Sequence, residues 1–215
     1  MKKEYYKEMR LLPLKKFDFK NLRIGKVDIN ELNDKTLLLN LYITQLLTLI
    51  IGIIILLFQS NSKILSALSF QGGWRVLIWG CLFAVVVLGI DLLISRWVPK
   101  EVSDDGGINQ MIFGNRALWH IALISFIVSV CEEVLFRGAI QHAWGPYWTS
   151  ILFAAIHVRY LQHWLMTGMV FCISYGLGWI YLHTGSLWTP IIAHFMIDMV
   201  MGCILRFGKE EDQGS

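Results

Sequence analysis

Six apolar stretches within 215 residues leave this chain almost no water-soluble way to fold. They run about Thr36–Phe58, Trp74–Ser95, Leu118–Trp144, Tyr147–Tyr160, Gln162–Leu182 and Leu187–Leu205. A helix of about 20 apolar residues crosses the hydrocarbon core of a bilayer, and lipid leaves no water to satisfy an irregular backbone. Composition agrees. The chain is 55% hydrophobic and 16% charged, against about 25% charged in soluble domains. The expected fold is an all-α, polytopic transmembrane helical bundle of about six membrane-spanning helices. Gly145-Pro146 and Thr184-Gly185-Ser186 supply turn chemistry between the later segments.

Charge sets the expected orientation. Residues 1–35 hold ten Lys/Arg against six Asp/Glu, which suits a cytoplasmic tail resting on anionic lipid. With that tail inside, Arg96, Lys100, Arg116, Arg159, Arg206 and Lys209 also fall inside, leaving Lys63 and Arg75 outside. The asymmetry places both termini in the cytoplasm. The Arg96–Arg116 connection, with Asp104-Asp105-Gly106-Gly107, reads as a solvated linker. Beyond the tail there is no basic, aromatic-interleaved surface, so no nucleic-acid partner is expected. Cys81, Cys131, Cys172 and Cys203 are isolated within apolar segments and read as small packing residues.

Against this background Glu132-Glu133-Val134-Leu135-Phe136-Arg137 stands out. A charge at mid-bilayer costs roughly 2.5–3.5 kcal/mol on insertion scales, so such residues usually mark a pathway or a reaction site. At about 100° per residue, Glu133 and Arg137 share a helix face, whereas Glu132 and Arg137 lie about 140° apart. Glu133 is thus the natural structural ion-pair partner of Arg137. Glu132 is left for acid–base chemistry.

Two further motifs reach the same depth. Phe153-Ala154-Ala155-Ile156-His157 lies in the fourth segment and His194-Phe195-Met196-Ile197-Asp198 in the sixth. Counting from the Gly145-Pro146 and Gly185 turns at 1.5 Å per residue puts Glu132, Glu133, His157, His194 and Asp198 roughly 14–20 Å below the outer connections. Each has a plain structural reading when taken alone: a Glu–Arg pair can be interhelical glue, and a histidine can be a hydrogen-bonder. An Asp one turn after a His often orients its ring. Convergence at one level favours a site. His120, His142, His163 and His183 sit nearer segment ends and read as interfacial hydrogen-bonders. Gly168, Ser174, Gly176 and Gly178 read as packing residues that let helices approach.

Glu132-Glu133-xxx-Arg137, Phe153-xxx-His157 and His194-xxx-Asp198 resemble the three signature motifs of the CPBP family. These are the CAAX prenyl-protease and bacteriocin-processing (Abi) intramembrane proteases. Thr184-Gly185-Ser186-Leu187-Trp188-Thr189-Pro190 is also similar to the family pattern, and the resemblance spans Leu118–Leu205. It implies a peptidase in which Glu132 activates the attacking water, while His157 and His194 bind that water, a metal or the developing oxyanion. The family commonly has Asn at the position of Asp198. Asn can donate to an oxyanion and an ionised Asp cannot, so Asp198 fits better as a partner of His194 or as a carboxylate near a metal. Two histidines and a carboxylate also form a recognisable zinc set, with His157 and His194 as candidate ligands. Zinc-dependent and metal-free glutamate mechanisms both stay open.

The expected organisation is a basic tail over 1–35, a bundle over 36–205 with its protease-like core at 118–205, and a short cytoplasmic tail over 206–215. The expected function is a CPBP-type intramembrane endopeptidase in the cell membrane, acting on a membrane-associated peptide or protein, with the lipid bilayer as its other partner. The alternative is a non-catalytic membrane scaffold that binds a peptide or partner in immunity or regulation. A coupled transporter is disfavoured, because neither internal repeats nor paired broken helices are visible.

Overall fold

Helix is the only regular structure among the described residues, as a lipid solvent demands. The computed structural model describes residues 34–59, 73–98 and 107–213. The expected basic tail lies outside them except for Asp34 and Lys35, which open α1 (Asp34–Phe58). The Asp104-Asp105-Gly106 part of the expected linker is likewise outside. α2 (Trp74–Trp97) and a short α3 (Ile108–Phe113), not anticipated from the sequence, come next. α4 (Leu118–Glu133) passes without a break into a π-helical segment (Val134–Ile140) and then α5 (Gln141–Ile156). A single 3₁₀ turn (Val158–Tyr160) leads to α6 (Trp164–Thr184) and α7 (Trp188–Gln213). The last helix therefore runs beyond Leu205, where a tail was expected.

Among the described residues, five helical runs are long and apolar enough to cross a membrane, against about six expected: 34–58, 74–97, 118–156, 164–184 and 188–208. The third is not one rod. Gly145 has φ 71° and ψ 171°, a backbone region open essentially only to glycine. There the chain reverses. The rings of Phe136 and Phe153 meet at 4.8 Å between centroids, although 17 residues of straight helix would separate them by about 25 Å. After the reversal only Pro146–Ile156 remains helical, about 16 Å of rise. This is too short for a crossing, so the expected fourth span is a return arm that ends within the bundle.

The return arm pairs antiparallel with α6. At the start of the arm Pro146 lies against Gly178 and Tyr147 meets Phe171 at 5.9 Å between ring centres; just past its end Thr167 Oγ1 donates to the Tyr160 carbonyl at 2.6 Å. α7 packs on α2 and α4, and α1 packs on α4 and the π segment. The last two contacts set the site. Val134, Leu187 and Ile191 form one buried cluster with Leu49 and Leu56 of α1 against it. Leu135, Phe136 and Phe153 form a second, at the foot of the hairpin. Outward faces are apolar as well: Leu57, Phe58, Trp74 and Trp97 are exposed, as expected where lipid replaces water. Cys81 and Cys172 belong to this exposed surface rather than to packing, whereas Cys131 is buried.

Candidate active site

Glu132 and Glu133 end the α-helical part of the hairpin, and the register changes to π at the next residue. Such wide turns are frequent at functional sites. Glu133 and Arg137 are both 0% exposed, so their charges must be matched by protein. Arg137 Nη1 donates to Glu133 Oε1 at 3.2 Å. Its Nε faces Oε2 at 3.1 Å, an ion-pair distance without hydrogen-bond alignment. Nη2 donates to both the carbonyl and the hydroxyl of Ser174, at 2.8 and 2.9 Å, and the guanidinium lies 5.2 Å from the Phe153 ring centre. Ser174 is thus more than a small packing residue, because it ties α6 to the hairpin through Arg137.

Glu133 also reaches α7. His194 Nδ1 lies 2.9 Å from Glu133 Oε1, and its Nε2 lies 3.5 Å from Asp198 Oδ2. Sequence reasoning pairs His194 with Asp198 one turn on, and the nearer partner is Glu133. Carboxylates therefore face both ring nitrogens.

His157 sits where the return arm stops being helical, at φ −78° and ψ 56°. Its Nδ1 is 2.7 Å from the Phe153 carbonyl. A carbonyl only accepts, so Nδ1 carries the hydrogen and Nε2 is the nitrogen left for chemistry. The ring is parallel to Tyr160 within 6° at 6.1 Å.

Glu132, His157, His194 and Asp198 all line one cavity of about 320 Å³, a volume at the lower end of small-molecule sites. Glu133 stands behind this wall, engaged with Arg137 and His194. The cavity has polar residues that sequence reasoning did not select: Gln45, Asp91, Asn109, Arg159 and Tyr160. An ionisable residue inside an apolar run is the signal that would have found Asp91. Gln45 Nε2 donates to Glu132 Oε1 at 3.0 Å. Outside the cavity, His120 bonds the Tyr42 hydroxyl at 2.9 Å, and His183 stacks on Trp179 at 5.3 Å.

The residues do not fit a zinc centre as arranged. Among the described residues no three His, Cys, Asp or Glu side chains are grouped to hold a metal ion. Both ring nitrogens of His194 are directed at Glu133 and Asp198, so of the two candidate histidines only His157, through Nε2, has a ring nitrogen not facing a protein partner.

Residues 114–200, which contain the hairpin, the return arm and the His194–Asp198 helix, match the family model "Type II CAAX prenyl endopeptidase Rce1-like". Over 133 residues the chain is 43% identical to an uncharacterized protein, YpbD, of Bacillus subtilis (strain 168), covering 62% of this chain and 70% of that one. No solved structure matches. With five helical runs among the described residues long and apolar enough to cross a membrane, this multi-pass protein belongs to the Rce1-like CAAX endopeptidase family, one of the CPBP intramembrane proteases.

Proposed function

We propose that this chain is an intramembrane endopeptidase that hydrolyses a peptide bond in a membrane-associated peptide or protein of the cell membrane, with Glu132 as the base that activates water. The observation that carries the reading is the shared cavity: Glu132 from α4, His157 from the end of the return arm, and His194 and Asp198 from α7 open on one space of about 320 Å³. The polar side chains in its mostly apolar lining would give water the hydrogen-bond partners it needs inside an apolar slab.

In the proposed reaction, water loses a proton to the Glu132 carboxylate while its oxygen bonds to the scissile carbonyl carbon. The C=O electron pair moves to oxygen and gives a tetrahedral oxyanion. As the oxyanion re-forms the carbonyl and the C–N bond breaks, Glu132 passes the proton to the leaving nitrogen, giving a carboxylic acid and an amine. His157 Nε2, in the ring whose Nδ1 hydrogen is taken by the Phe153 carbonyl, accepts a hydrogen bond from the water and directs its lone pair. His194, held by Glu133 and Asp198, lines the same cavity and in this reading supports the developing oxyanion. Glu133 and Arg137 hold His194 in place. No step is routed through a metal.

The reading is tested by comparing membrane peptides in cells carrying the natural protein with those in cells carrying Glu132→Gln. Defined peptides should accumulate uncut only with the variant. Unchanged peptide profiles, together with an intact biological role for the variant, would instead support a scaffold that binds a partner without cutting it.

A further inference from the structure

Along the 25 residues of α1 only two side positions are buried, Gln45 and Gly52. They are seven residues apart, two helical turns, and so lie on one face. Tyr42, Leu49 and Leu56 complete that face: Tyr42 bonds His120, and Leu49 and Leu56 pack on the Val134–Leu187–Ile191 cluster. The seam is apolar at its other deep positions, yet its most enclosed long side chain is an amide. Gly52 fixes the register of the seam. A Cβ there would meet the Leu135 backbone at 3.1 Å from Cα, so α1 lies directly on the π segment that begins one residue after Glu133. That contact leaves Gln45 at 8% exposure beside Glu132.

An amide is an expensive choice for such a place. Among the described residues the buried Gln45 Oε1 has no hydrogen-bond partner, which penalises the fold. Nε2 donates to the Glu132 carboxylate at 3.0 Å. A leucine or methionine would pack the seam without the orphaned oxygen, so stability alone does not account for Gln45. Its position outside residues 114–200, the stretch matched by the family model, makes it a feature of the first helix rather than of the shared motifs.

We infer that Gln45 is a positioning residue: its amide donates to Glu132 and holds the carboxylate toward the cavity that both side chains line. Through Gln45, α1 becomes part of the proteolytic apparatus. The inference rests on Glu132 being the base, as proposed above. The donated hydrogen bond restricts rotation of the carboxylate, so its loss lowers the fraction of molecules with Glu132 aligned on the water. The effect falls on turnover and leaves substrate binding alone.

The test uses full-length protein in lipid vesicles, with a peptide that accumulates uncut in the Glu132→Gln cells as its substrate. Gln45→Met keeps the length and removes the donor; Gln45→Asn keeps the amide and shortens its reach. Both should lower kcat, by up to about 100-fold if the carboxylate is misplaced by about 1 Å, with KM unchanged. The thermal midpoint of Gln45→Met should be no lower than that of the natural protein. Wild-type kcat in either variant that folds would overturn the inference while leaving Glu132 as base. Failure of both variants to accumulate would overturn it too, by assigning Gln45 a structural role. If Glu132→Gln cells accumulate no peptide, the protease reading falls and this inference falls with it.

Discussion

The Glu132–Glu133 doublet divides its labour through burial. Glu133 is 0% exposed and shares its oxygens between Arg137 and His194; Glu132 lines the cavity and accepts from Gln45. Removing one partner of a buried ion pair strands the other charge, at a cost of about 3–5 kcal/mol. Arg137→Ala should therefore sharply lower the thermal midpoint and the amount of protein recovered. It should do so without any direct contact to substrate. A normally stable Arg137→Ala protein would contradict the assignment of this pair to structure. Simple i, i+4 arithmetic put Glu133 opposite Arg137. It could not foresee Ser174 or the contact from His194, because both arrive from distant helices whose rotation the sequence does not specify.

At the scale of elements, the hairpin over Leu118–Ile156 does most to assemble the cavity. Its reversal places the Phe153 ring and His157 alongside the π segment, and it depends on Gly145 at φ 71° and ψ 171°. No neighbouring atom lies within 4 Å of a Cβ built at Gly145, so the penalty for a side chain is conformational rather than steric. Gly145→Ala should destabilise the protein by about 1–3 kcal/mol, measured by thermal or denaturant unfolding in detergent; an unchanged midpoint would argue against the reversal. Gly145-Pro146 is legible as a turn. The length of the return arm is less so, since the apolar run to Tyr160 looks continuous in sequence while the helix stops at Ile156 and leaves His157 as its cap. The π segment has no signal in hydropathy; it lies where α1 packs closely at Gly52.

Across the molecule, five helical runs among the described residues have the length to cross a membrane, and an odd number of simple crossings would put the termini on opposite sides. The return arm removes that conflict, because it carries the chain back from the Gly145 end before α6 runs toward that end again, with Gly178 beside Pro146. Together with the excess of Lys/Arg in residues 1–35, this predicts both termini in the cytoplasm. Reporters active only in the cytoplasm should work at either end, and activity at just one end would contradict the topology. The all-helical class and the four cavity residues Glu132, His157, His194 and Asp198 were legible in the sequence, since polar residues in apolar runs are conspicuous. Gln45, Asp91 and Arg159 were not selected, because their relevance depends on which helix faces turn inward.

Hydrolysis driven by Glu132 is the central claim, and its most direct test is cleavage by purified protein in lipid vesicles. The substrate is a peptide that accumulates uncut in cells carrying Glu132→Gln. The natural protein should cut it, and Glu132→Gln should fold to the same thermal midpoint and leave it intact. Cleavage by Glu132→Gln at the natural rate would contradict the account.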